Sequence, residues 1–465
     1  MIRFAGSCAA IGLVSFVVAS AAPSRDVEMG GAAKQLVVAY YAGWDSLRGY
    51  DVKEIPTHAI THLDYAFAKP TARGACAPAH PWIDYQRPFR AGADTVDGVA
   101  DVDANGDPVA GQHLFGNFNQ LRELKATAPK LKVLISVGGA SSSGYFSDVA
   151  ATAKARARFV TSCIDTFIKG DLPKGGRLAQ AGGPGVAAGL FDGIDLDWEF
   201  PGIGAHARAA DTHNATLLLQ EFRRQLDAVG AQAGTRYLLT AALPAGDRKT
   251  IERWELPRAA AALDWVNVMT YDFHGPWESL TNFTSPFAFD SRDPTPPVQR
   301  SVTNTVATIA LYRALGVPAN KLVVGVPFYA RQYVRVRAAN SGLYQPFDNR
   351  GLSSDAPDWT KTTTLSYHQL VDVAAIAGSR ANPGIRGFTR HWNASAGEPW
   401  LYAPPARRFH HPGAVFISYE NPRSLAERVS LIRSLRLRGA MIWEIGDDDN
   451  AHDLVHVFRP LLAAK

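Results

Sequence analysis

The sequence lacks the features that mark several function classes. Only three of its 465 residues are cysteine, Cys8, Cys76 and Cys163. None stands at the paired spacing of a zinc site. Basic residues are not clustered. Lys and Arg number 48 against 43 Asp and Glu, for a net charge of +5, and their scatter leaves no footprint for nucleic acid. Past the N-terminal segment no run is long and apolar enough to span a bilayer. There is no internal repeat, no separate linker-joined module, and no Gly-rich dinucleotide fingerprint after the first strand. What remains is a globular composition, 46% hydrophobic and 20% charged, with length for a large core.

Residues 1–21 have the layout of a secretory signal. Arg3 supplies positive charge, Ala9–Val18 is a short apolar run, and Ala19-Ser20-Ala21 fits the cleavage pattern. Cys8 leaves with this segment. Cys76 and Cys163 are then free to form a disulfide in an exported protein, or Cys163 serves as a small hydrophobe in a predicted helix. The mature protein is expected to be secreted, extracellular or periplasmic, without membrane attachment, and monomeric.

The stretch around which the chain is organised is Gly189–Gly202, GLFDGIDLDWEFPG. Apolar and acidic residues alternate from Ile194 to Phe200, which predicts a strand. Residues two apart share a face, so Asp195, Asp197 and Glu199 form a row of carboxylates ~7 Å apart. Ile194, Leu196, Trp198 and Phe200 face apolar packing on the other side. Asp192 has the wrong parity and belongs at the strand's entrance. Buried like charges raise proton affinity, so the row reads as a proton-sharing relay with Glu199 as its donor end. Two simpler readings are an exposed acidic strand and a divalent-metal site. The apolar opposite face opposes the first, and the missing His ligands oppose the second.

Along the chain, apolar strands alternate with helices. Strands are predicted at 35–41, 59–68, 131–137, 194–200, 237–243, 265–271, 321–329, 414–418 and 439–445. Helices are predicted at 117–128, 151–167, 216–229, 302–315, 422–437 and 451–462. This alternation predicts a parallel sheet covered by helices, closed into a (β/α)₈ TIM barrel, over 34–330 and 413–465. Residues 331–412 break the rhythm and are expected to form a small α+β insertion domain between strand seven and its helix. In such a barrel functional residues lie at the C-terminal ends of strands.

Asp192-Gly193-Ile194-Asp195-Leu196-Asp197-Trp198-Glu199 resembles the DxxDxDxE signature of glycoside hydrolase family 18, the chitinase family, and specifically the chitinase A type with an inserted domain. Other segments resemble the family's further motifs. Ser136-Val137-Gly138-Gly139 is similar to SxGG, although Ala140 stands where relatives of this type often carry Trp. Met269-Thr270-Tyr271-Asp272 is similar to MxYD, and Tyr329-Ala330-Arg331 to YxR. Trp443 matches the residue that floors the sugar beside the cleaved bond. Trp44 and Trp277 are further stacking candidates, and Trp359 matches a substrate-contacting Trp in the insertion, followed by Thr360 in place of an acid. Met269, Tyr271 and Trp443 also admit a plain packing role.

The resemblance implies a secreted enzyme that hydrolyses β-1,4 bonds in chitin and chitooligosaccharides. Glu199 would be general acid and base, Asp197 and Asp195 would support it, and Tyr271 and Asp272 would hold the substrate's acetamide, which acts as nucleophile. Met269, Trp44, Trp277, Tyr329, Arg331, Trp359 and Trp443 would bind sugar, with Asp192, Ser136, Gly138 and Gly139 in structural support. No cofactor, metal or nucleic acid is implied. The alternatives are an endo-β-N-acetylglucosaminidase acting on glycoprotein glycans, and a non-catalytic chitin-binding lectin.

Overall fold

A computed structural model describes residues 35–354, 360–373, 387–405 and 413–463. The expected signal segment 1–21 and Trp359 lie outside the described residues.

Fourteen strands are described. They are β1 Leu36–Ala42, β2 His62–Pro70, β3 Cys76–Pro78, β4 Lys132–Gly138, β5 Gly193–Asp197, β6 Leu238–Leu243, β7 Trp265–Val268, β8 Leu322–Pro327, β9 Tyr329–Val336, β10 Thr364–Ser366, β11 Thr389–Asn393, β12 Glu398–Ala403, β13 Ala414–Ser418 and β14 Gly439–Trp443. Eight of them run parallel in the order β1-β14-β8-β7-β6-β5-β4-β2, and β2 pairs back with β1 to close a barrel. β3 extends β2 as a short antiparallel partner.

Period-two alternation sorts the barrel's side chains. In β1, Val37, Ala39 and Tyr41 pack outward with the helices, whereas Leu36, Val38 and Tyr40 point inward with Trp265, Val323 and Met441. In β5, Ile194 and Leu196 join the outer core, as does Trp198 just beyond it, which leaves the acids inside. The barrel's interior is therefore plugged with apolar side chains in one layer and crossed by a buried polar layer in another. That polar layer contains Asp64, Ser136, Asp195, Thr240 and Asn267.

A second, antiparallel sheet has the order β10-β9-β13-β12-β11. Ala414–Ser418 was expected to resume the barrel, but it pairs with β9 and β12 instead. A short apolar strand carries the same local pattern in either sheet, so its partners could not be read from it. The second sheet also begins at Tyr329, before residue 331. The helix expected at 151–167 ends at Cys163 and continues as a wider turn, Ile164–Ile168. The last expected helix is two short turns, Val455–Phe458 and Arg459–Leu462. β5 ends at Asp197, and Phe200 is only half-buried rather than packed in the core.

Cys76 and Cys163 are disulfide-bonded, with Cα atoms 4.9 Å apart. The bond ties β3 to the helix Ala153–Cys163. No helix among the described residues is long and apolar enough to cross a membrane.

Candidate active site

The parallel register builds the site. Ser136 of β4 and Thr240 of β6 both lie directly beside Asp195. Strands are ~4.8 Å apart, so short hydroxyl side chains on the same face reach the carboxylate between them. Thr240 Oγ1 donates to Asp195 Oδ1 at 2.6 Å and Ser136 Oγ to Oδ2 at 2.9 Å. Tyr40 from β1 donates to Oδ2 from across the barrel at 2.7 Å. Asn267 Nδ2 lies 3.3 Å from both the Tyr40 hydroxyl and Asp64 Oδ2, and Trp265 Nε1 fixes the Asn267 carbonyl at 2.9 Å.

Four acids thus share one interior: Asp64, Asp195, Asp197 and Glu199. Burial raises the pKa of Asp195, against the pull of its three hydroxyl donors. Asp64 is pushed well up by burial and by the charge of Asp195. Asp197 is pushed well up by burial and then by the charges of Glu199 and Asp195. The carboxyls of Asp197 and Glu199 are in hydrogen-bonding contact. Burial raises Glu199 to about 7, with the Asp272 charge adding to it and the Asp197 contact opposing it. A carboxyl poised there can both give and take a proton near neutrality.

The expected loop glycines have a measurable cause. A Cβ on Gly138 (φ +122) would lie 2.1 Å from the Asp197 carbonyl oxygen, and one on Gly139 (φ +84) 2.7 Å from the Phe67 ring. Only glycine lets this turn press against the acid strand and the aromatic wall at once.

That wall stands at the C-terminal ends of β1, β2 and β14. Trp443 stacks on Phe67 with centroids 5.6 Å apart and leans on Tyr40 at 5.4 Å. Trp44 meets Phe67 at 6.2 Å and His80 at 6.4 Å. Met269 and Tyr271 pack half-buried on the same cluster. Tyr271 sits among acids: burial, then the charges of Asp197 and Glu199, hold its hydroxyl well above 10. Asp272 (φ +52) accepts from Arg331 Nη2 at 2.7 Å and Nε at 3.2 Å. The guanidinium covers Tyr329 at 4.8 Å and Trp277 at 5.7 Å. Trp277 is 62% exposed, at the rim.

Asp192 lies apart from the rest, at the opposite end of β5. Lys125 Nζ at 2.7 Å, Lys132 Nζ at 3.0 Å and the Val133 N–H at 2.9 Å hold it. Burial works against its charge, but these donors outweigh burial and keep its pKa below the usual value. Among the described residues no group of three or more His, Cys, Asp or Glu is arranged to hold a metal ion.

Several residues of the site were not anticipated. Asp64 had a signal, a lone acid in the apolar run His62–Pro70, and Tyr40 had the right parity in β1. Ser143 had none. It lies in a Ser run, yet its Oγ accepts the Glu199 N–H at 2.9 Å and is 3.0 Å from the Asp197 and Gly139 carbonyls.

Comparison with known proteins identifies the family and the fold. The family model "Glycosyl hydrolases family 18" matches residues 36–448. Chitinase A1 of Niallia circulans is 34% identical over 450 residues, covering 89% of this chain and 56% of that protein. Chitinase C of Streptomyces lividans is 32% identical, covering 92% and 60%. The chain thus spans little more than half the length of these relatives. The catalytic domain of psychrophilic chitinase B from Arthrobacter TAD20 superposes with a TM-score of 0.78 at 30% identity, covering 93% of this chain and 96% of that one. With its eight-strand barrel and its acid row at the C-terminal end of β5, the chain belongs to glycosyl hydrolases family 18.

Proposed function

We propose that this protein is a secreted chitinase that hydrolyses β-1,4 bonds between N-acetylglucosamine units. The observation that carries the reading is the proton-sharing row that ends in Glu199, beside an aromatic wall suited to the apolar faces of sugar rings. Named relatives that are chitinases support the substrate class. The Cys76–Cys163 bond supports export, since disulfides persist in oxidising compartments.

In this mechanism Glu199 protonates the leaving oxygen while the substrate's acetamide oxygen attacks the anomeric carbon, as in the substrate-assisted exception among glycosidases. Asp197 accepts from the acetamide N–H, and its carboxylate steadies the charged ring once its proton has passed towards Asp195. Asp195, held by three hydroxyls, keeps that proton within the row. Tyr271 and Asp272 position the acetamide, and Trp443 supports the ring under attack. Glu199 then takes a proton from a water whose oxygen attacks the anomeric carbon, and the bond from that carbon to the acetamide oxygen breaks, which opens the ring. Trp44, Met269, Trp277, Tyr329 and Arg331 bind neighbouring sugars.

The test is hydrolysis of defined chitin oligomers, with NMR of freshly released ends. β-Anomeric products are expected, and no cleavage of cellulose or fully deacetylated chitosan oligomers. Loss of the acetamide removes an intramolecular attack whose effective molarity reaches about 10⁵–10⁸ M. α-Anomeric products, or cleavage after a deacetylated sugar, would mean that water or a protein carboxylate attacks.

A further inference from the structure

Each of the two tryptophans assigned to the sugar-binding floor is followed by an acid, Trp44 by Asp45 and Trp443 by Glu444. β1 and β14 are parallel neighbours, with Ala39 beside Ile442, so the two dipeptides leave the barrel side by side. Both acids are almost fully buried, Asp45 at 3% and Glu444 at 4% exposed. Their carboxyls lie within hydrogen-bonding reach of each other, and the Trp44 indole N–H reaches Glu444. Asp45 Oδ2 and Glu444 Oε2 take no hydrogen bond from any donor among the described residues. The space is tight, since a Cβ on Gly446 would lie 2.5 Å from Asp45 Oδ2. Two carboxylates in such contact repel, whereas one proton between them makes a short, strong bond.

We propose that Asp45 and Glu444 are positioning residues that share one proton and thereby hold Trp44 and Trp443 as one sugar-binding floor, so that substrate binding weakens when alkali removes that proton. This rests on the reading of the two tryptophans as sugar platforms. Burial, then the Asp447 charge, raises Asp45 to about 8. Burial, then Asp45, raises Glu444 well above its usual value. The other charged or titratable groups facing the pair are Arg48, which opposes the shift, Asp447, itself raised by burial, and the hydroxyls of Tyr41 and Tyr50. Both tyrosines are held well above 10, so they stay neutral while the pair titrates. Asp45 ionises first, at about 8, because the Glu444 carboxyl donates to it, and the pair is lost only as pH rises further, through the raised pKa of Glu444. A Gln at 444 satisfies both contacts at any pH: its Oε1 accepts from Trp44 and its Nε2 donates to Asp45.

The experiment measures chitohexaose binding by calorimetry in steps from about pH 6 to about pH 10.5, so that the series runs past Asp45 and on into the raised range of Glu444. It uses Glu199→Gln protein, which removes hydrolysis and the titration of Glu199. The expected result is a Kd at least about tenfold weaker at the highest pH, and a ratio within about twofold once Glu444→Gln is added. If Glu444→Gln does not fold by circular dichroism, Asp45→Asn makes the same test, since its amide donates to Glu444. A full alkaline weakening that survives either change overturns the proposal, and so does pH-independent binding in the parent. No binding at about pH 6 removes the sugar-platform reading itself, and this proposal with it.

Discussion

Asp192 and Glu199 open and close one acidic motif yet face opposite ends of the barrel. Asp192 precedes β5, ion-paired with Lys125 at 2.7 Å and Lys132 at 3.0 Å. Glu199 follows it, in contact with the Asp197 carboxyl. The pKa of the first acid is held down by cations, whereas burial raises those at the other end. One strand thereby carries an ion-paired acid at one end and a row of raised carboxyls at the other, so the two ends should respond differently to pH.

Activity should fall as pH rises through about 7, because Glu199 must be protonated to act as the acid and its pKa is raised to about 7. The decline in kcat should approach tenfold per unit above that point. Stability should follow the same direction. Glu199 binds a proton in the folded state that the unfolded chain, with a carboxyl near 4.5, releases earlier. That contribution is complete below about pH 4.5 and is lost as pH climbs to about 7. Glu199→Gln should lower kcat by about 10²–10⁴-fold and remove this alkaline limb. A pH–rate profile on a soluble chitin oligomer checks both; an unshifted limb in the variant would assign the titration to another group.

Ser143→Ala should separate position from chemistry. Ser143 Oγ accepts the Glu199 N–H at 2.9 Å. Its removal leaves that N–H without its partner, which costs about 1–3 kcal/mol. We expect a lower thermal midpoint and a fall in kcat of roughly tenfold, with KM nearly unchanged, since a small misplacement of the reacting groups is costly. A lower midpoint with wild-type kcat would make Ser143 a brace for the loop only.

The barrel and the acid row were legible in the sequence because both are written in local periodicity. Inward and outward residues alternate in β1 and β5 as the pattern demands. Of Asp195's partners Ser136 was legible from its motif, whereas Thr240 and Tyr40 meet it only through strand register and barrel closure, which no single strand carries. Asp64 is the instructive miss. A lone acid in His62–Pro70 was visible, but its tie to Tyr40 through Asn267 depends on barrel closure. Ala414–Ser418 went to the wrong sheet for the same reason. The disulfide was undecidable until β3 and the helix Ala153–Cys163 were brought together.

Reduction should test that link. The Cys76–Cys163 bond closes a loop with a sequence separation of 87. On the loop-entropy account its loss costs about 4–5 kcal/mol. Thiol reductant, or Cys76→Ala with Cys163→Ala, should lower the urea midpoint without changing kcat at moderate temperature, because neither cysteine touches the acid row. An unchanged midpoint on complete reduction, verified by thiol titration, would mean that the bond holds a loop that unfolds independently.

Arg428 offers the sharpest test of how the second sheet joins the barrel. It lies fully buried on the helix Pro422–Ser434. Its Nη2 contacts Glu398 of β12 at 2.7 Å and Glu420, just past β13, at 2.6 Å, and it also donates to the Ser285 carbonyl. Burial, then Glu420's charge, pushes Glu398 well up against the pull of Arg428. Burial likewise raises Glu420, with Arg428 opposing. Removing the cation leaves two acids buried without it, so Arg428→Met should cost about 3–5 kcal/mol. The cost should grow with pH, because the stranded acids can escape the penalty only by protonation, which alkali denies them. Arg428→Met combined with Glu398→Gln and Glu420→Gln should recover most of the loss, since it is the unpaired charge that is expensive. Urea unfolding at about pH 5 and about pH 8, either side of raised carboxyls, measures this. The second sheet supplies Arg331, so its loosening should depress cleavage of long chitin more than that of short oligomers. Equal losses on both would mean that the triad supports the acid row directly rather than the cleft wall.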